Sequence, residues 1–471
     1  MTAAEERRTP ALPLRRVSAK VRRELHGRSL GEAAADLRQL VATRGWHGIV
    51  ERTGFSIHRH LPPEPEPPPA DPGLDPRVGT YSWNIAFNPY FDLSPEELAA
   101  NAAVVRRFSE RPNQVRSATW FLPRFEHALF GGVYTILRLM SWMTKHHDVE
   151  HRLVIFDGQI ATDPQIRHMV RDTFPNLGNV DIVLPPPSGT LALDELPWTD
   201  IAVCSLWSSA YSLARFNATS AKFYMVQDFE PSFYAAGTAF ALAEATYRLG
   251  FAGLVNTPGL ADVFATYGSP TFSFVPAVDY FAPDEPKPSA AGGPVQIVLY
   301  GRPSTDRNAF ELIARAAHHL KTRYGNRIRI VSAGEDFEPA AFGLEGVVEN
   351  VGLLRDLGSV RDLYAASDIG ICFMLSKHPS YQPFEYLAAR MAPVCNANLA
   401  TGWLLRDGEN CLITEPFPNC IAAAVSRLVM DPELRLKIAS TGYEDVLAAD
   451  WEVELDRTWK FITNRPVDGS R

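Results

Sequence analysis

Cysteine is scarce in this sequence: five residues in 471 (Cys204, Cys372, Cys395, Cys411, Cys420), with no CxxC pair. That spacing excludes a disulfide framework and predicts reduced, buried thiols; Cys204 and Cys372 fall inside apolar strand-like runs. No Cys/His cluster has the spacing of metal ligands, so no metal is expected. Long apolar runs are missing too. None approaches the roughly 18 residues of a membrane span, and the run Leu129 to Leu137 is stopped by Arg138. The N-terminus has no apolar core of a secretion signal, which predicts a cytoplasmic protein. Nor is there a basic excess: 46 Lys and Arg stand against 54 Asp and Glu, a formal charge of -8. Nucleic acid, whose phosphates demand a broad basic face, is therefore not an expected partner.

What is present is an ordinary globular composition, 46% hydrophobic and 21% charged, over a length that implies two or three domains. The first 28 residues carry eight Lys or Arg against three Glu. A capping pattern, Ser29-x-x-Glu32, then opens a periodic stretch that predicts a helix over Ser29 to Thr43. Residues 1–60 read as a basic, partly helical appendage, and the proline-rich residues 61–76 as an extended spacer. From Arg77 apolar strand-like runs alternate with helical patterns: "SATWFLP", "HRLVIFDG", "VDIVLP", "DIAVCSLW", "KFYMVQD", "GLVNTP" and "FSFVPAV". A second alternation follows the linker "PDEPKPSAAGGP", with "VQIVLYG", "RIRIVSAG", "VVENVG", "DIGICFM", "APVCN" and "CLI". The pattern predicts an α/β protein of two doubly wound, Rossmann-like domains facing across a cleft, over 77–285 and 286–450, followed by residues 451–471. Ligands of such sheets bind at the carboxyl ends of the strands.

Candidate site residues gather at those ends. Arg302 and Arg307 lie in the loop after "VQIVLYG", where a planar, permanently charged fork and the start of a helix suit phosphate oxygens. Solvated loop arginines are the alternative. Glu385 falls in the first turn of the helix after "DIGICFM", where a carboxylate also serves as a dipole partner. Gly131 and Gly132 lie between a strand and a helix, where a backbone can approach a ligand or a helix can pack closely. Asp228 and Glu230 follow "KFYMV" two residues apart, a D-x-E spacing that could hold a metal; Gln227 and Asp228 suit an acceptor hydroxyl better, and Asp228 equally suits capping of the next helix.

Gly301-Arg302 with Arg307 five residues on resembles the G-R…K motif of the retaining family 4 glycosyltransferases of GT-B fold, with Arg307 where lysine is usual. "FEYLAARMAPV" looks like their donor-site helix, "FVPAVDYFAP" with Asp279 like their entry to the hinge, and "DWEVELDRTW" like their closing helix. "MVQDFEPSFY", "YGRPSTDRN" and "SKHPSYQPFEYLA" resemble the WsaF-type rhamnosyltransferases. The resemblance covers about Arg77 to Ile462. It implies that Gly301, Arg302 and Arg307 grip the donor diphosphate and Glu385 the ribose, with Gly131, Gly132, Gly334, Ser380 and Tyr381 lining the nucleotide-sugar site. Two positions depart from the pattern: His378, seven residues before Glu385, replaces a sugar-contacting glutamate, and Arg390, five after it, replaces a glycine.

The implied reaction moves L-rhamnose from a thymidine diphosphate donor to a hydroxyl of a growing surface glycan or lipid-linked acceptor. Arg302 and Arg307 would neutralise the leaving group, with Asp228 and His378 beside the reacting sugar and no cofactor beyond the donor itself. The resemblance carries a retaining outcome. A nucleotide-sugar epimerase of the same architecture and a non-catalytic glycan- or nucleotide-sugar-binding protein are the other readings. Arg7, Arg8, Arg15, Arg16, Lys20, Arg22 and Arg23 could touch anionic lipid at the inner membrane face, or simply solubilise the arm.

Overall fold

The computed structural model divides the chain at Pro72, and everything below lies in the second unit, Gly73–Arg471. The described residues are 88–464, apart from 124, 126–127, 129–130, 157–162, 185–191 and 279–292. The expected helix at Ser29, the proline-rich spacer, the basic arm and Asp279 lie outside them.

Seven strands form the first sheet: β1 (Ser117–Leu122), β2 (Glu150–Ile155), β3 (Asp181–Val183), β4 (Thr199–Cys204), β5 (Thr219–Val226), β6 (Ala252–Asn256) and β7 (Thr271–Phe274). Six form the second: β8 (Val295–Gly301), β9 (Ile328–Gly334), β10 (Glu349–Asn350), β11 (Ile369–Cys372), β12 (Ala392–Cys395) and β13 (Leu412–Ile413). The orders are β3-β2-β1-β4-β5-β6-β7 and β10-β9-β8-β11-β12-β13. All the pairings are parallel.

Helices cover both sheets. In chain order they are α1 (Pro95–Val105), α2 (Gly131–His147), α3 (Asp163–Thr173), α4 (Trp207–Arg215), α5 (Thr238–Thr246) and α6 (Pro258–Ala265) over the first lobe. Those of the second are α7 (Phe310–Tyr324), α8 (Leu357–Ala365), α9 (Gln382–Ala388), α10 (Pro418–Met430) and α11 (Pro432–Leu447), and α12 (Trp451–Ile462) follows. Central strands such as β8 read as continuous apolar runs because helices bury them on both faces. In α7, Phe310, Ile313, Ala314, Ala317 and Leu320 are all buried, the face that its spacing predicts.

α12 belongs to the other lobe. Its Trp451, Leu455, Trp459 and Ile462 sit in the core of the first sheet with Trp120, Leu153 and Phe274. Trp142 of α2 donates an indole N–H to Glu452 at 2.7 Å. Strand order reverses between β1 and β4 in one sheet and between β8 and β11 in the other. Loops leaving those strands diverge there and open a crevice, the usual ligand position in open α/β sheets. Among the described residues no helix is long and apolar enough to cross a membrane.

Candidate functional site

The second sheet's switch point is built by two loops. The first, after β8, carries Arg302 and Arg307. Gly301 is obligatory at the strand end, since a Cβ there would fall 1.9 Å from Ser332 Oγ. Gly334, at the end of β9 with φ +138°, leaves room for the Arg302 stem: a Cβ would lie 3.1 Å from Arg302 Cγ and from the Tyr300 ring. Arg302 is half-buried and donates to the Tyr300 hydroxyl at 3.3 Å. Glu335 fixes the turn between the arginines by accepting from the Ser304 amide (3.2 Å) and hydroxyl (2.6 Å).

The second loop, after β11, carries Ser376, His378, Ser380 and Tyr381. Two asparagines splint it. Asn396 bonds both the N–H and the C=O of Met374, at 2.8 and 2.9 Å. Asn398 donates to the carbonyls of Met374 (3.0 Å), Ser376 (2.8 Å) and His378 (3.3 Å). The Leu375 amide donates to Arg307 O at 2.7 Å and joins the loops. Ser380, buried at φ +50°, pairs its hydroxyl with Gln382.

Across the crevice, the first lobe meets these loops closely. Asp228, only 6% exposed, accepts from Ser376 Oγ at 3.2 Å. Its Oδ2 lies 3.6 Å from Arg307 Nε and 3.6 Å from His378 Nδ1. His378 Nδ1 also lies 2.8 Å from Gln227 O. Arg307 stacks on Phe233, 4.6 Å from the ring centroid. Gln227 donates to Gly132 O at 3.0 Å, and a Cβ on Gly132 would meet its Nε2 at 2.7 Å. Gly131, at φ +62°, opens α2. Tyr381 shares a 2.7 Å hydrogen bond with Thr135 of α2, and burial pushes its phenol up to about 12.

The structure therefore brings Asp228, Arg307, His378 and Gly132 together, with Gln227 between them. Arg302 and Gly334 form a neighbouring group around Tyr300. Glu385 sits in the first turn of α9; after burial, its charge is the next cause pushing the Tyr364 phenol well up. Capping is not the role of Asp228: the turn Glu230–Phe233 has Phe229 at its cap position and no side-chain cap bond. Nor do Asp228 and Glu230 converge as a metal pair. Glu230 turns inward to the Trp207 amide and to the Tyr224 hydroxyl, the latter at 2.7 Å. Ser376, Asn396 and Asn398 were not singled out from the sequence; the Asn-x-Asn after β12 was the one available signal.

Arg390 shows why the expected glycine can be dispensed with. It keeps the left-handed backbone, φ +52°, that a glycine would favour, and its guanidinium stacks 3.7 Å above the Tyr443 ring. The conformation costs roughly 1 kcal/mol for a non-glycine residue, and the stack returns about as much. Arg390→Ala keeps the cost and loses the stack; Arg390→Gly loses both. The glycine variant is expected to unfold at the higher urea concentration of the two, and the reverse order in urea melts would show that the backbone there is not strained.

Models of the WsaF N-terminal and C-terminal domains match residues 197–254 and 295–426. The first match contains Asp228; the second contains Arg302, Arg307, His378 and Glu385. Both stretches are similar to WsaF domains, and the two sheets make a GT-B fold. Over 381 residues the chain is 37% identical to the O-antigen biosynthesis protein RfbC of Myxococcus xanthus, a match covering 79% of this chain and 29% of that protein. It thus spans less than a third of that relative's length. HepE of Anabaena, solved in complex with UDP, shares the fold at a TM-score of 0.54 and 15% identity, over 72% of this chain and 98% of that one. Sucrose-phosphate synthase of Thermosynechococcus elongatus does so at 0.56 and 13%, over 74% and 98%. The WsaF-like, two-sheet GT-B architecture expected from the sequence is the one found.

Proposed function

We propose that the chain is a glycosyltransferase of surface-polysaccharide synthesis that moves L-rhamnose from dTDP-L-rhamnose to a hydroxyl of a growing glycan. The observation that carries this reading is the placement of Arg302 and Arg307 in the loop at the β8 switch point, with Arg307 3.6 Å from Asp228 of the other lobe. The RfbC relative, named for O-antigen biosynthesis, supports the polymer class. The sugar rests on the likeness of the "QDFEP", "GRPSTDR" and "SKHPSYQPFEY" segments to WsaF-type rhamnosyltransferases.

In the reaction the bond between the anomeric carbon and the diphosphate oxygen breaks, one to the acceptor oxygen forms, and the acceptor's hydroxyl proton leaves with the departing diphosphate. Negative charge grows on the diphosphate as positive charge grows on the sugar. Arg302 and Arg307, fixed before the reaction, stabilise the departing charge. Asp228 and His378 stand beside Arg307, where the diphosphate would meet the reacting sugar. Because side-chain cations meet the phosphates, no divalent metal is required.

The test is transfer from a panel of nucleotide sugars to a lipid-linked glycan acceptor, with and without a chelator. Rhamnosyl product from the thymidine donor, unchanged by the chelator, is expected. Transfer of another sugar alone would overturn the rhamnose reading, and loss of rate restored by Mg²⁺ the metal-free one. Epimer formed without acceptor would establish an epimerase; donor binding without any product would establish a binding protein.

A further inference from the structure

Three groups of the second lobe converge on one carboxylate of the first. Arg307 Nε and His378 Nδ1 each lie 3.6 Å from Asp228 Oδ2, and Ser376 Oγ donates to Oδ1 at 3.2 Å. The Arg307 cation and the Ser376 hydroxyl around two oxygens are what a phosphate requires, and His378, whose Nδ1 lies 2.8 Å from Gln227 O, stands beside them. The seat is held for that task by Asn398, which fixes the carbonyls of Ser376 and His378, and by the Leu375–Arg307 backbone bond. It is shielded as well, because Asp228 is almost fully buried and Phe233 lies against the guanidinium.

A second anion cannot share this seat. Two like charges beside one guanidinium repel each other, and the arginine fork can face only one of them squarely. We infer that Asp228 is an internal anion that competes with the donor's diphosphate for the Arg307–Ser376–His378 seat. This rests on the nucleotide-sugar reading above. The carboxylate keeps the arginine ordered until a diphosphate displaces it. The two binding events are then linked with negative sign: whatever weakens the Asp228 contact strengthens diphosphate binding by the same factor.

Inorganic pyrophosphate, titrated calorimetrically in the presence of a chelator, is the probe. Asp228→Asn removes the charge at constant shape; Asp228→Ser removes it with different packing and decides the matter if the first variant does not fold. Both are expected to bind pyrophosphate at least about fivefold more tightly than the parent, the lower end of ordinary linkage between sites. The gain should disappear when Arg307 is also changed to glutamine. Equal or weaker binding by the neutral variants, no binding by any of them, or a gain that persists without Arg307 would each overturn the inference. Tighter pyrophosphate binding in a chain that transfers no sugar would keep this inference and remove the transferase reading, and active transfer with unchanged pyrophosphate affinity would do the opposite.

Discussion

Replacing Arg302 with alanine is expected to lower turnover about a hundredfold or more, the effect of removing one preorganised charge-stabilising donor, about 3 kcal/mol. The residue is built to be rigid. Gly301 and Gly334 open the space for its stem, and the Tyr300 hydroxyl takes one of its donors. The loss should appear mainly in kcat, because charge on the diphosphate grows most in the transition state. Thymidine diphosphate, which carries the full product charge, should compete with the donor in the parent and poorly in the variant. Arg302→Lys keeps the charge and loses the planar fork, so it should fall between them. Near-parental turnover together with near-parental inhibition would leave Arg302 as a solvated loop residue.

Glu230→Ala should be among the most destabilising single changes in the first lobe. The carboxyl is 2% exposed and accepts from the Trp207 amide and the Tyr224 hydroxyl. Removing it strands two buried donors and leaves a hole, a cost on the order of 3 kcal/mol. Burial, aided by the nearby Asp228 charge, pushes the Glu230 carboxyl up to about 8 from its ordinary 4.5. Between those two values the folded chain holds a proton that the unfolded chain has released. Its contribution is therefore fully present below pH 4.5 and is lost as pH rises toward 8. Urea melts from pH 5 to 8 should show parental stability falling by a few kcal/mol on this account. Glu230→Gln, which is uncharged throughout, should flatten that slope and cost little at pH 7. An equal slope in the glutamine variant would place the titration elsewhere.

The strands were readable because most are buried on both faces and so spell continuous apolar words: "VQIVLYG" is β8, and "DIGICFM" contains β11 with one residue to spare before it and two after. The edges were read too long. "VVENVG" yields only Glu349–Asn350 and "FSFVPAV" stops at Phe274, since an edge strand needs few residues to pair. Arg302 and Arg307 could be singled out because a strand end followed by a helix start marks a candidate site before any partner is known, whereas His378 came only from the family resemblance. The partners themselves could not. Nothing local to Asp228 reports Arg307, 79 positions later, and nothing near Thr135 reports Tyr381. Those pairings depend on how two separately built lobes meet.

The return of α12 to the first lobe bears on how the chain is made. The core around Trp120, Leu153 and Phe274 is completed by Trp451, Leu455, Trp459 and Ile462. On the ribosome, the first sheet emerges early yet must wait for the entire second lobe to be synthesised before its last apolar surface is covered. Until then that surface is exposed in a nascent chain, where incomplete cores invite aggregation. The second lobe carries no such debt, because its sheet and covering helices are contiguous in sequence. The order of synthesis and the order of completion are thus reversed: the lobe made first is the lobe finished last.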